Sequence, residues 1–222
     1  MSDRLGQVAS PNLPLATDNY IRDSEEDYRK VERIYFNRLS FLTNSLVGTM
    51  GGRHLEMPHG AFFDSTTQTD LANTPAPIKF NTTVTNSTVG VSVVNNLSGD
   101  PTRVTVQYGG DYNFQFSLQF ENTDNVVHSV GVWARINGTD VDDSCGAVTV
   151  PARKSALVYG YAIAAWNYVY PMQPGDYFEL IWATEDASVT VPYIPAWTTP
   201  TEPYNRPATP SAILTVTYAS VV

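Results

Sequence analysis

Tyr112-Asn113-Phe114-Gln115-Phe116-Ser117-Leu118-Gln119-Phe120-Glu121 alternates without a slip. Every even position is apolar and every odd position polar. Successive side chains of a strand point to opposite faces, so this period of two describes a strand with one face on a core and the other on solvent. Val130, Val132, Ala134 and Ile136 repeat the pattern and stop at Asn137-Gly138, a tight-turn signal. Phe178, Leu180 and Trp182 repeat it again after the turn Gln173-Pro174-Gly175-Asp176. Val89, Val91 and Val93, then Val104, Val106 and Tyr108, predict two more strands. Ala147 to Val150, Ala156 to Tyr161, Ala164 to Tyr170, Val189 to Tyr193 and Ala212 to Tyr218 complete the set. About ten short strands with no helical segment between them predict an antiparallel sandwich or barrel from about Gly60 onward. Pro195 to Pro210 holds five prolines and reads as a long loop.

The first 57 residues follow another rule. Pro11 and Pro14, within Ser10-Pro11-Asn12-Leu13-Pro14-Leu15, predict an extended arm with Leu13 and Leu15 to bury. Ser24-Glu25-Glu26-Asp27 reads as a helix start, with acids where they complement the helix dipole. Tyr28, Val31, Tyr35, Leu39, Leu42 and Leu46 then recur at a mean spacing of 3.6 residues, one straight helical stripe widened by Ile34 and Phe41. The expected helix covers about 24–47, and Gly48, Gly51 and Gly52 read as a linker. No heptad is sustained, which argues against a long coiled coil. One amphipathic helix cannot bury its own stripe, so the stripe is expected to meet other protein. The expected division is an arm-plus-helix anchor over 1–57 and a β head over 58–222.

Composition narrows the function. The chain has 222 residues, 13 basic and 22 acidic, for a net charge of −9. Only 16% of residues are charged while 42% are hydrophobic and 12% aromatic, enough for a packed core. Residues 58–222 hold 6 basic and 14 acidic residues, so −8 of the −9 sits in the β part. Lys30, Lys79 and Lys154 are the only lysines, a poor endowment for nucleic acid. Cys145 is the only cysteine, which excludes an intrachain disulfide and a multi-cysteine zinc site. No apolar run approaches the ~20 residues of a membrane span. Met1 to Ser10 carries charges and no apolar stretch, so no secretory signal is expected.

Motifs with chemistry are few. His54, Glu56 and His59 form H-x-E-x-x-H, whose spacing fits no common helical metal site and reads as solvated linker. His128 falls on a strand and reads as structural. Asp140, Asp142 and Asp143 cluster after the Asn137-Gly138 turn but lack the spacing and terminal Glu of an EF-hand. No nucleophile elbow or phosphate-binding loop occurs. No catalytic residue, cofactor or metal is therefore expected. The sequons at Asn81, Asn86, Asn96 and Asn137 reflect a chain rich in Asn and Thr, with 24 threonines. Trp133, Arg135, Trp166 and Tyr168 lie on strands. Trp133, Trp166 and Tyr168 are the candidate aromatics for a subunit interface or a sugar.

Gly110-Asp111-Tyr112-Asn113-Phe114, Met172 to Leu180 and the apolar C-terminal strand Ala212 to Val216 carry a resemblance. Over roughly 60–222 the chain resembles the trimeric jelly-roll heads of the tumour necrosis factor and complement type. Phe116 to Asp140, Ala164-Ala165-Trp166-Asn167-Tyr168 and Gly175 to Leu180 look, more narrowly, like heads of virion proteins from tailed bacteriophages. Asn12-Leu13-Pro14-Leu15 and Tyr35-Phe36-Asn37-Arg38-Leu39 are similar to the leader of such proteins. The resemblance implies a homotrimer in the virion, assembled in the host cytoplasm. The arm and helix would bind the major capsid protein or another virion protein through Leu13, Leu15, Tyr28, Val31, Tyr35, Leu39, Leu42 and Leu46. A capsid decoration or cement protein is the first expectation. The alternative is a short head or tail fibre whose head binds a host-surface receptor or glycan. A polysaccharide-cleaving enzyme is the least supported.

Overall fold

The computed structural model describes residues 22–47, 57–197 and 204–220, with side chains of the helix described over 22–44. The chain is mainly β, with one N-terminal helix and two antiparallel sheets forming a sandwich. It divides into two compact units at residues 56 and 57. The arm with Leu13 and Leu15, and the side chain of Leu46, lie outside the described residues.

In the first unit, helix α1 spans Arg22–Val47. It starts two residues before the expected turn, so Ser24 sits inside the first turn with Asp23 and Glu25. Arg22 pairs with Glu26 at 2.9 Å and Arg29 with Glu25 at 3.0 Å, both one helical turn apart on the surface. Tyr28, Val31, Tyr35 and Leu42 are half-buried, whereas Ile34, Phe36 and Leu39 are exposed. No described helix is long and apolar enough to cross a membrane.

Among its described residues the second unit holds thirteen strands. These are β1 (His59–Asp64), β2 (Ala76–Pro77), β3 (Thr82–Thr83), β4 (Val91–Asn95), β5 (Pro101–Val106), β6 (Gly110–Asn122), β7 (His128–Ile136), β8 (Thr139–Asp140), β9 (Gly146–Val150), β10 (Gly160–Met172), β11 (Tyr177–Thr184), β12 (Val189–Thr190) and β13 (Ala212–Ser220). One sheet runs β10-β6-β13-β1-β3, with β12 also on β6. The other runs β4-β5-β11-β7-β8, with β2 on β11 and β9 on β7. Without the edge hairpin strand β4, the longer strands number eight, and their pairing places the first, eighth, third and sixth in one sheet. The second, seventh, fourth and fifth form the other. That is jelly-roll connectivity, two interleaved Greek keys.

The alternation read in the sequence is the alternation of burial. Tyr112, Phe114, Phe116, Leu118 and Phe120 of β6 are all buried, and their odd neighbours reach the surface. Opposite them stand Val130, Val132 and Ala134 of β7 and Phe178, Leu180 and Trp182 of β11. Phe114 stacks on Phe178 at 4.3 Å, a contact between the two sheets. Burial of these rings supplies the main favourable energy, roughly 1.5–3 kcal/mol for each large apolar side chain.

Three expectations change. His59 is the first residue of β1 and not linker: it pairs with Thr217 of β13, and its Nδ1 lies 2.7 Å from the Met57 carbonyl. Its expected companions His54 and Glu56 lie outside the described residues. Residues 156–159 form a turn before β10 and not a strand, because Lys154 and Ser155 bond back to Val158 there. The described ends of the Pro195–Pro210 segment pair with each other and are not simple loop. Ile194 bridges Thr209 and Trp197 bridges Arg206, so its described ends pair antiparallel.

Candidate functional site

The two sheets expose different outer faces. On the seven-stranded sheet, charged groups are present and paired. Arg135 of β7 meets Asp140 of β8 at 2.6 Å. Arg103 of β5 lies 3.8 Å from Glu179 of β11 and over the ring of Tyr177 at 4.5 Å. The Arg135 guanidinium also holds the Asp140 carboxyl below the usual range. The acidic loop thus spends its first carboxylate on an arginine of its own hairpin.

The six-stranded sheet presents a face of another kind. Its outer side is built by odd residues of β10, β6, β13 and β1, brought together by register. Ala165 pairs with Ser117, Asn167 with Gln115 and Val169 with Asn113. Ser117 pairs in turn with Ile213, Gln115 with Thr215 and Asn113 with Thr217. Ala61 and Phe63 continue the face opposite Thr215 and Ile213. None of these side chains is charged. Ile163 is 65% exposed, Val169 55% and Ile213 42%, so branched apolar groups meet water on a sheet that could have shown threonine at every such place. Asn167 donates to Asn113 at 2.9 Å and levels the centre.

Carboxylates mark the two ends of this face. Asp111 accepts from the Ser220 hydroxyl at 2.7 Å, and Glu121 accepts from the Tyr161 hydroxyl at 2.7 Å. Burial, and then the Glu121 carboxylate, push the Tyr161 phenol up to about 12, so it stays a neutral donor at neutral pH. This uncharged face thus carries branched apolar groups on the edge strand β10 and on β13, with carboxylates at its two ends, a composition suited to contact with other protein.

The aromatics singled out in the sequence are not on this face. Trp166 and Tyr168 have the inward parity of β10 and pack half-buried against the core. Trp166 meets Phe116 edge to face at 4.7 Å, and the Tyr168 hydroxyl donates to the Ser144 carbonyl at 2.7 Å. Trp133 lies on β7 in the other sheet, at outward parity and half-buried. The three therefore do not form one surface. The exposed groups Tyr161, Ile163 and Val169 went unremarked because Val169 sits between the inward aromatics Tyr168 and Tyr170, while Tyr161 and Ile163 alternate with the small residues Gly160, Ala162 and Ala164 and show no contrast of faces. Their odd parity within Gly160–Met172 was the available signal.

Two smaller constellations complete the picture. Arg206 lies over the Trp197 ring at 4.3 Å, and Tyr204, 62% exposed, sits 5.5 Å from the same ring. At one end of the sandwich, Asp124, His128 and Asp186 each place a ligand atom within 4.8 Å of the others. Among the described residues this is the one group with the chemistry to hold a metal. No protein-family model matches the chain, and no curated protein matches it.

Proposed function

We propose that the protein is a non-enzymatic structural component of a tailed-phage particle, a homotrimer whose jelly-roll head faces solvent and whose N-terminal part anchors it. The observation that carries the self-association is the uncharged outer face of the six-stranded sheet. Three copies around a closed axis would cover Ile163, Val169 and Ile213 without leaving an open repeating edge. The division of charge supports the exposed head, since a net −8 over residues 58–222 favours solvation and mutual repulsion between heads. The stripe on α1 supports the anchor, because a helix with apolar groups along one side binds other protein through them. Among virion roles, capsid decoration fits best: the described chain is a head and one helix, with no long shaft among the described residues.

Light scattering on the size-exclusion peak tests the assembly. Three chains of 24.4 kDa are expected, and a monomer at micromolar concentration would overturn the trimer. Copy number per particle tests the place: hundreds mean decoration, and a few dozen or fewer mean a fibre. Deletion of residues 1–57 is expected to abolish incorporation into particles while the head still folds.

A second reading has its own observation. Exposed Tyr204 stands beside half-buried Trp197 and Arg206, an aromatic and cationic group of the kind that contacts a sugar ring. That favours the short-fibre alternative, with a host-surface glycan as ligand. Trp197→Ala would then reduce cell or glycan binding and leave the trimer intact.

A further inference from the structure

The loops joining β6 to β7 and β11 to β12 meet at one end of the sandwich. They bring Asp124, His128, Glu185 and Asp186 together although the two pairs are far apart in sequence. His128 opens β7 with its side chain only 10% exposed. Both ring nitrogens face carboxylates: Nε2 lies 3.0 Å from Asp124 Oδ2, and Nδ1 lies 3.6 Å from Glu185 Oε1. Among the described residues, no lysine or arginine pairs with any of the three carboxylates. One imidazole thus stands against three negative charges, a local excess that a divalent cation would balance.

We propose that Asp124, His128 and Asp186 form a binding site for a first-row divalent transition ion, with Glu185 as the outer carboxylate that orients the histidine ring. The donor set decides the class of ion. An imidazole nitrogen with two carboxylate oxygens suits zinc or manganese, whereas calcium and magnesium take oxygen ligands. Nε2 faces Asp124 at 3.0 Å, with Asp186 within the same 4.8 Å group, and Nδ1 lies 3.6 Å from Glu185; a short closure of that last gap would give the arrangement of a metal-bound histidine, one nitrogen on the ion and the other N–H on a carboxylate. The carboxylates are themselves held. Asp124 accepts the Asn125 N–H at 2.6 Å, Asp186 accepts the Ser188 N–H at 2.8 Å, and Glu185 accepts the Ser129 N–H at 2.8 Å. Asn122 fixes the β6–β7 loop by donating to the Val126 and Pro151 carbonyls, and its Oδ1 accepts the Asp124 N–H. The ion would take the place of the Asp124–His128 hydrogen bond and tie the β6–β7 connection to the β11–β12 turn. Asp124 and Asp186 are half-exposed while His128 is buried, so water can complete the coordination shell from the carboxylate side.

Calorimetric titration of the full chain, stripped with a chelator, tests this with zinc, manganese, calcium and magnesium as separate probes. One zinc or manganese ion per chain is expected, with no binding of calcium or magnesium. The unfolding midpoint is expected to rise by several degrees at about 100 times Kd. Asp186→Asn keeps the acceptor for Ser188 and folds like the parent in chelator, but loses binding at least about tenfold. Glu185→Gln weakens it about 10- to 100-fold without abolishing it, the usual cost of losing a histidine's outer carboxylate. Cobalt(II) substitution is expected to give a visible absorption band that Asp124→Asn removes. The proposal is overturned if neither ion binds. It is also overturned if binding survives the Asp124→Asn/Asp186→Asn pair, or if His59→Ala removes it, which would move the site to His54-Glu56-His59.

Discussion

Gly160 shows how a single residue can be compulsory without any sequence signal. A Cβ added there would lie 1.8 Å from the Pro151 carbonyl oxygen, a backbone atom that cannot turn aside. Gly160→Ala is therefore expected to cost at least about 2 kcal/mol through overpacking, read as a lower urea midpoint. Gly99, with φ +88 and nothing near its Cβ position, is constrained by backbone conformation alone. Titration is a second effect at this scale. Burial pushes the Tyr168 and Tyr161 phenols up to about 12, against an ordinary value of 10.0. A raised acid means the folded state holds its proton longer than the unfolded chain. The resulting stability is whole below pH 10 and is lost as pH rises toward 12. A thermal-melt series should show a falling midpoint across that window, and Tyr168→Phe should flatten part of it.

Strand β6 sets the limit of what an element reveals about itself. Its inward set was legible, because five aromatic or aliphatic residues at period two leave no competing assignment, although the strand extends past the alternating stretch to Gly110 and Asn122. β10 was read as two strands, Ala156 to Tyr161 and Ala164 to Tyr170, because Ala162 and Ile163 give no contrast of faces, whereas it runs unbroken from Gly160 to Met172. β1 was not read as a strand at all. His59-Gly60-Ala61-Phe62-Phe63-Asp64 has little contrast between faces, and only its place between β13 and β3 makes it a strand. The outer face of the six-stranded sheet was hidden for a related reason. Its members come from four strands that only the fold's long-range register aligns. Packing at this scale is measurable. Phe114 contacts Phe178 across the core, so Phe114→Ala is expected to cost about 3–5 kcal/mol. Its outward neighbour Gln115→Ala should stay within about 0.5 kcal/mol. Urea titrations with unchanged m values would check both, and equal losses would contradict the inward and outward assignment.

At the scale of the molecule, the proposed assembly and folding need to be separated, because the apolar groups proposed for the one and those that form the core lie on opposite sides of the same sheet. Val169 is 55% exposed and flanked on its own strand by Asn167 and Pro171, so it contributes little to the core of its own chain. Tyr168 and Tyr170, one residue either side, point inward and pack against that core. Val169→Asp should therefore leave the unfolding midpoint of the isolated head nearly unchanged. In the proposed trimer the same substitution places three carboxylates around one axis, on a face that carries no cation to balance them. Burying such a charge without a partner costs several kcal/mol. The expected result is a folded monomer by light scattering, with the near-ultraviolet circular dichroism of the parent. Ile163→Lys should act alike through desolvation, and combining it with Val169→Asp should restore part of the assembly if the two groups approach across the interface. A Val169→Asp variant that remains a full trimer would show that the chains meet elsewhere, and the uncharged face would then need another partner.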